Sequence, residues 1–266
     1  MLKLNGDVKM KIAFLGSSSA LSSSTRDYTS LAVNIFDQWI MIDCGGSPVK
    51  KLSLLGIDYM KIDTVLITHT HPDHVYGLPA IIHEMLLRKR QKSLNIYCPE
   101  AGSIFLKELF QIFFRDEKEM FEIDIHPVKV QPQVIIEKNL NYEIYGIAVD
   151  HGIEAFGYKI LEKGGKSLVY SGDTRPSQNL IRKAIGADLL IHECTYSKEF
   201  EKLAEEGGHS TSYQVGEIAR KANVKKLILT HINPISKERE DLLLVDAKIC
   251  FAGEVSISKD MLLIEV

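Results

Sequence analysis

Paired cysteines are missing from this sequence. Its four cysteines, Cys44, Cys98, Cys194 and Cys250, lie scattered along 266 residues, without the close spacing of a zinc ribbon or a disulfide framework. They read as reduced thiols of a cytoplasmic protein, with a ligand role for Cys44 and Cys194 as the alternative because each sits in a polar motif. No apolar run approaches the length of a membrane span, and residues Met1–Lys11 lack the apolar core of a signal peptide. Positive charge is short as well: 32 Lys and Arg against 35 Asp and Glu give a formal net charge of −3. That balance excludes a globally basic nucleic-acid binder, though not a local basic cleft. Linkers rich in Pro, Gly or Ser and low-complexity tracts are also absent, so residues 1–266 read as one domain. Its 45% hydrophobic content supplies ample core.

What is present centres on Thr68-His69-Thr70-His71-Pro72-Asp73-His74, which closes the apolar run Thr64-Val65-Leu66-Ile67. Such a run, ending abruptly in polar residues, reads as a buried strand entering a loop. On extended backbone His69 and His71 point to the same side. Pro72 then turns the chain, so Asp73 and His74 arrive from a second direction, ahead of a helix over Ala80–Arg90. Three imidazoles and a carboxylate at one corner suit a borderline-soft divalent ion such as Zn2+, with Mn2+ or Fe2+ as alternatives. Neighbours such as Asp73 and His74 are expected to point apart, which argues for two ions rather than one.

Along the chain, Val8–Leu15 reads as a strand at the edge of the core. It is followed by the serine-rich Ser17–Thr25, a surface loop whose alternative role is to cradle a phosphate. Leu31–Phe36 and Trp39–Ile42 form a hairpin across Asp37-Gln38, ending at Asp43-Cys44-Gly45-Gly46, where two glycines permit a tight turn. Asp43 is placed to hydrogen-bond a metal-binding imidazole. Pro48–Leu55 is a short helix. The run Arg88-Lys89-Arg90 reads as a solvated helix end, contact with an anionic substrate being the alternative, and His126 reads as structural. Further strands are expected at Leu94–Cys98, Val134–Glu137, Tyr142–Val149, Phe156–Leu161, Ser167–Tyr170, Asp188–Ile191 and Lys226–Leu229. Helices are expected at Ala101–Arg115, Pro176–Ile185, Thr211–Ala222 and Lys237–Ala247. Several strands end in polar groups, and strand ends converge at one edge of a sheet. Three such ends carry His151, Asp173 and His231, which complete a ligand set.

The order H-x-H-x-D-H, then His151, then Ser171-Gly172-Asp173-Thr174, then Leu229-Thr230-His231 resembles the metallo-β-lactamase superfamily. The resemblance implies an α/β four-layer αββα sandwich with a binuclear zinc site between its sheets. It assigns His69, His71 and His151 to one zinc and Asp73, His74 and His231 to the other, with Asp173 bridging. Within the superfamily the sequence is most similar to ribonuclease Z, the tRNA 3′-processing endonuclease. The segments that carry this are Asp73 to Pro79, His151 to Tyr158, Ser171 to Arg175, His192-Glu193-Cys194-Thr195 and His209-Ser210-Thr211. In that family the residues matching Glu193 and His209 assist protonation of the leaving group. From the residues alone, Glu193 reads as a buried capping carboxylate and His209 as the neighbour of a helix N-cap.

Two departures stand out. Ribonuclease Z inserts a tRNA-gripping arm between the third His and the bridging Asp. Here His151 and Asp173 are only 173 − 151 = 22 positions apart, which leaves no room for one. Asn233-Pro234-Ile235 also replaces the common Ser-x-Arg after the last His. The expected function is therefore a binuclear zinc phosphodiesterase of ribonuclease Z-like type, in which a metal-bridging hydroxide attacks phosphorus. Asp73, Glu193 and His209 form its catalytic set, and its substrate is a phosphodiester, RNA being one option. A homodimer without membrane contact is expected. The alternatives are a true tRNA 3′-endoribonuclease, a hydrolase of another ester such as a sulfate ester or lactone, and a binding scaffold without turnover.

Overall fold

The computed structural model describes residues 10–117, 119–234 and 240–266. In the first half the strands are β1 (Lys11–Gly16), β2 (Ser30–Ile35), β3 (Gln38–Ile42), β4 (Ile62–Leu66), β5 (Leu94–Pro99) and β6 (Ile123–Val128). The second half holds β7 (Val134–Lys138), β8 (Tyr142–Ala148), β9 (Phe156–Glu162), β10 (Ser167–Tyr170), β11 (Leu189–Glu193), β12 (Lys226–Thr230), β13 (Glu254–Ile257) and β14 (Leu263–Glu265). The helices are α1 (Pro48–Leu54), α2 (Pro72–Val75), α3 (Leu78–Leu87), α4 (Glu100–Phe114), α5 (Gln178–Ala184), α6 (Glu201–Gly207), α7 (Ser212–Lys221) and α8 (Glu240–Cys250).

These strands form two seven-stranded sheets, ordered β14-β1-β2-β3-β4-β5-β6 and β13-β12-β11-β10-β9-β8-β7. Strands buried on both faces read as continuous apolar runs, as β1, β2, β10 and β11 do. One core lies between the sheets, where Phe14, Leu31, Ile40 and Ile42 meet Tyr142, Phe156, Tyr158 and Tyr170. The opposite faces pack on helices. Val65, Ile67 and Ile96 meet Ile81, Ile82 and Leu106 on one side, and Val169, Leu190 and Leu227 meet Leu180, Val215 and Ala247 on the other. The result is the expected α/β sandwich of four layers, αββα. Among the described residues no helix is long and apolar enough to cross a membrane.

Parallel pairing decides where the site falls. β3, β4, β5 and β6 run parallel, as do β10, β11, β12 and β13. Their C-terminal ends therefore open onto one edge, the place where open α/β sheets present side chains to ligands.

Several expectations need correction. The first hairpin turns at Phe36-Asp37, not Asp37-Gln38, because those two residues take the left-handed φ of 50° and 63° that a two-residue turn needs. β1 is interior rather than at an edge, since β14 pairs on its far side; Val8 and Lys9 lie outside the described residues. The helix expected over Lys237–Ala247 runs to Cys250, and residues 237–239 lie outside the described residues. Arg90 is neither solvated nor free for a substrate. It is buried and donates to Asp63, Met60 O, Lys92 O and Ser93 O, which ties the end of α3 to the starts of β4 and β5. His126 stacks on Tyr97 and bonds Asn95, in keeping with a structural role.

Candidate metal centre

Beyond β4 the chain bends at Thr68 and reaches His71 in an extended conformation, with φ and ψ of −62° and 147°, before Pro72 opens the single turn α2. Proline suits that first helical position because its missing N–H would find no partner there. His71 therefore leaves extended backbone, and Asp73 and His74 leave a helical turn. His151 follows β8, Asp173 follows β10 and His231 follows β12. The structure gathers all seven into two adjoining sets: His69, His71 and His151, and Asp73, His74, Asp173 and His231. In each set one ligand-type atom per residue lies within 4.8 Å of the others.

The spacing fits a metal. Donors bonded to a tetrahedral ion at roughly 2.0–2.1 Å stand about 3.3 Å from one another. In the second set, His74 Nε2 is 3.4 Å from both Asp73 Oδ2 and Asp173 Oδ2. His231 Nε2 is 3.4 Å from Asp73 Oδ2 and 3.3 Å from Asp173 Oδ2. In the first set, His71 Nδ1 is 2.9 Å from His69 Nε2 and 3.2 Å from His151 Nε2. Asp173 Oδ2 also lies 3.8 Å from His69 Nε2, between the two sets. Asp73 and His74 thus converge rather than point apart, because a helical turn, unlike a strand, lets adjacent side chains share a flank. The division into two sets arises elsewhere, from which imidazoles meet His71.

Four of the inward-facing nitrogens, those of His69, His74, His151 and His231, are prepared by a partner on the other side of the ring. Asp43 accepts from His74 Nδ1 at 2.8 Å. The Thr68 hydroxyl lies 2.9–3.0 Å from the Asp43 carboxylate and 3.0 Å from His69 Nδ1, so it donates to the first and accepts from the second. Thr195 does the same between Glu193 Oε2 (3.1 Å) and His231 Nδ1 (2.8 Å). Gly208 O accepts from His151 Nδ1 at 2.8 Å. With one N–H taken in this way, the lone pair of the other nitrogen faces the centre. Asp43 and His231 hold left-handed φ of 55° and 57°, a conformation that costs a non-glycine residue roughly 1–3 kcal/mol and clusters at functional sites. Gly45 serves a close approach rather than the turn, because a Cβ there would lie 2.0 Å from Asp73 O.

The electrostatics favour a cation. Asp43, Asp73, Asp173 and Glu193 are all buried, and among the described residues none of them pairs with Lys or Arg. Burial works against the imidazolium of His74, but Asp173, Asp43 and Asp73 outweigh it and hold its pKa well above the usual histidine value. Burial likewise opposes ionised Asp173, yet His231, His74 and His69 bring its pKa well down. Burial, joined by neighbouring imidazoles, lowers the pKa of His69 and His71. Burial also lowers that of His151, so all three are neutral and able to donate lone pairs. His74 Nε2 and Asp173 Oδ1 are buried without a hydrogen-bond partner. Such orphaned groups inside a cluster of donors are what a bound ion satisfies.

Beside this cluster, Glu193 Oε1 accepts from His209 Nδ1 (3.2 Å), Ser210 N (2.8 Å) and Thr174 N (3.3 Å). It therefore caps the local backbone and grips an imidazole at once. Burial lowers the His209 pKa, but the charge and hydrogen bond of Glu193 outweigh it and raise the value to about 9. The His209 ring stacks on His231 at 5.4 Å. Thr211 caps α7, in a capping box with Gln214. Cys44 and Cys194 sit in the apolar cores outside both sets, and burial pushes the Cys44 thiol far up. A groove of about 700 Å³ along α4 and β6, lined by Phe110, Phe114 and Met120, lies apart from this chemistry.

Thr68, Thr195 and the Gly208 carbonyl escaped the sequence reading. Thr68 and Thr195 stand next to motif residues, and a hydroxyl beside a ligand was the available signal; nothing local marks a backbone carbonyl.

Replacing Asp43 with Asn removes the negative acceptor of His74 Nδ1–H while keeping its size. Asp43→Asn is expected to weaken metal binding by roughly 10–100-fold, read by competition with a chromophoric zinc chelator. Affinity equal to that of the unaltered protein contradicts the role given to Asp43.

The beta-lactamase superfamily domain model matches residues 38–232, a span holding every residue of both sets. Ribonuclease Z of Methanothermobacter thermautotrophicus is 30% identical over 304 aligned residues, covering 97% of each chain. Among solved structures, the metallo-β-lactamase fold protein YhfI of Bacillus subtilis superposes with a TM-score of 0.82 at 24% identity, covering 97% of this chain and 100% of that one. Human tRNase Z, short form, superposes with a TM-score of 0.81 at 23% identity, covering 96% and 98%. On these matches and the geometry above, the chain belongs to the metallo-β-lactamase superfamily and is a metal-dependent hydrolase of its ribonuclease Z-like group.

Proposed function

We propose that this protein is a zinc-dependent phosphodiesterase that holds two ions and acts on small or unstructured phosphodiesters. The observation that carries the reading is the pair of ligand sets sharing Asp173, with a Glu193–His209 pair at their side. His69, His71 and His151 would hold one ion, and Asp73, His74 and His231 the other, with Asp173 between them. Ions bound there supply an activated water and neutralise charge developing on the phosphoryl oxygens.

The remaining chemistry belongs to the chain itself. Glu193 holds the proton on His209, whose Nδ1–H is committed to the carboxylate. The Nε2–H then serves as the donor to a departing alkoxide. With its pKa raised to about 9, His209 stays protonated through neutrality and loses its proton as pH rises past that value. Activity on a substrate with a poor leaving group should therefore fall on the alkaline side. Glu193→Gln should move that limb to lower pH. His209→Ala should keep its metal yet lower kcat by roughly 10²–10⁴-fold on an alkyl leaving group. The loss should be much smaller on p-nitrophenolate, which scarcely needs a proton. An equal loss on both leaving groups, or loss of metal, contradicts the assignment.

What the chain lacks favours small substrates. The alignment to the archaeal ribonuclease Z runs to 304 positions against 266 residues here, so that relative carries stretches this chain does not. The 21 residues between His151 and Asp173 hold β9, its turn and β10. An anchor far from the reacting phosphorus contributes chiefly to binding large RNA. The competing reading, a tRNA 3′-endoribonuclease, draws on the names of the relatives. Cleavage of a pre-tRNA and hydrolysis of bis-p-nitrophenyl phosphate by one preparation separates the two. The diesterase reading expects kcat/KM for the RNA to be no higher than for the simple diester. Pre-tRNA cut far more efficiently, and at its 3′ processing site, overturns it.

A further inference from the structure

Tyr76 follows the ligand-bearing turn of α2 and is 64% exposed. An exposed tyrosine is ordinary on a protein surface; its placement here is not. The backbone on both sides is pinned, by Tyr76 N–H to Pro72 O at 2.9 Å and Gly77 N–H to Cys44 O at 2.7 Å. The ring lies 6.1 Å from that of Tyr28, at 36°. Tyr28 is fixed in turn. The Asp27 carboxylate accepts its N–H at 2.9 Å and is itself held by Lys51 (3.0 Å) and Ser47 N (3.0 Å). Both residues belong to segments that adjoin the second ligand set, Tyr76 standing two residues after His74. A Cβ on Gly45 would touch Asp73 O at 2.0 Å and Tyr28 Cβ at 2.8 Å at once, so Tyr28 and the Asp73 backbone are immediate neighbours.

The geometry points to a subsite: Tyr76, backed by Tyr28, is a stacking shelf for the nucleobase of a nucleotide phosphodiester whose phosphorus sits at the metal centre. This rests on the phosphodiesterase reading and narrows its substrate to diesters that keep a nucleoside after cleavage. Planar bases stack on aromatic side chains without regard to sequence, and a rigidly held ring loses little freedom on doing so. An acidic chain gains from such a contact, because it binds a nucleotide without cationic side chains. His209 attends the departing oxygen and has its own aromatic neighbour, Tyr196, at 6.2 Å. The Tyr28–Tyr76 shelf is accordingly given to the group that stays on phosphorus.

Two diesters sharing one leaving group test the shelf: thymidine 5′-(p-nitrophenyl phosphate) and methyl p-nitrophenyl phosphate, each with the zinc-loaded protein. The unaltered protein should favour the thymidine diester by roughly tenfold in kcat/KM, within the range of a single base-on-ring stack. Tyr76→Ala should bring that ratio close to one, mainly through KM, while Tyr76→Phe, which keeps the ring, preserves it. A ratio unchanged in Tyr76→Ala overturns the shelf and leaves the phosphodiesterase reading standing. Hydrolysis of neither diester overturns that reading. The shelf is then decided by calorimetric titration with thymidine 5′-monophosphate. Weaker binding by Tyr76→Ala and Tyr28→Ala than by Tyr76→Phe supports it, and equal binding by all three overturns it.

Discussion

Four carboxylates buried between the ends of two sheets set the terms for the rest of this molecule. Moving an ionised carboxylate out of water costs several kcal/mol even after relaxation. That is more than the roughly 1.5–3 kcal/mol contributed by burying one large apolar side chain. Asp43, Asp73, Asp173 and Glu193 are held there without Lys or Arg partners among the described residues. They are offset by imidazoles, by backbone N–H groups and by the positive charge for which the pocket is shaped. The inner core of Phe14, Ile40, Phe156 and Tyr158 stabilises the sandwich that can carry this load.

The supporting shell explains why the site is precise. Thr68 and Thr195 each accept from a ligand imidazole and donate to a buried carboxylate, so one hydroxyl sets a tautomer and solvates an anion. The two devices occupy equivalent places, after β4 and after β11, which suits a fold with two similar halves. Strained backbone at Asp43 and His231 falls where the two halves meet over the ligands. Glu193 links this shell to His209, the proton donor of the proposed mechanism. Through Thr195 it touches His231, and through its other oxygen it holds His209, so the orientation of one imidazole and the charge on another share one residue.

Much of this was legible in the sequence because chemistry-bearing residues interrupt apolar runs. Leu66-Ile67 giving way to His69, Tyr170 to Asp173 and Leu229 to His231 are strand-to-loop transitions, and parallel strands deliver their ends to one edge. Other features depended on partners distant in sequence. The pairing of β14 with β1 is not local, so β1 looked like an edge. Arg90 was misread because its acceptors include Met60 O and Asp63, some thirty residues upstream. The convergence of Asp73 and His74 was misjudged because strand geometry was extended one residue too far, past Pro72. His209 and Glu193 were visible as residues, but their pairing needed the turn after α6 to bring the one over the other.

Metal content tests the central claim most directly. Protein purified without chelator and then equilibrated with excess zinc should hold two ions per chain by mass spectrometry of the elements. Asp173→Ala, which removes the carboxylate between the two sets, should lower that number. One ion per chain under excess zinc, unchanged by Asp173→Ala, would contradict the account.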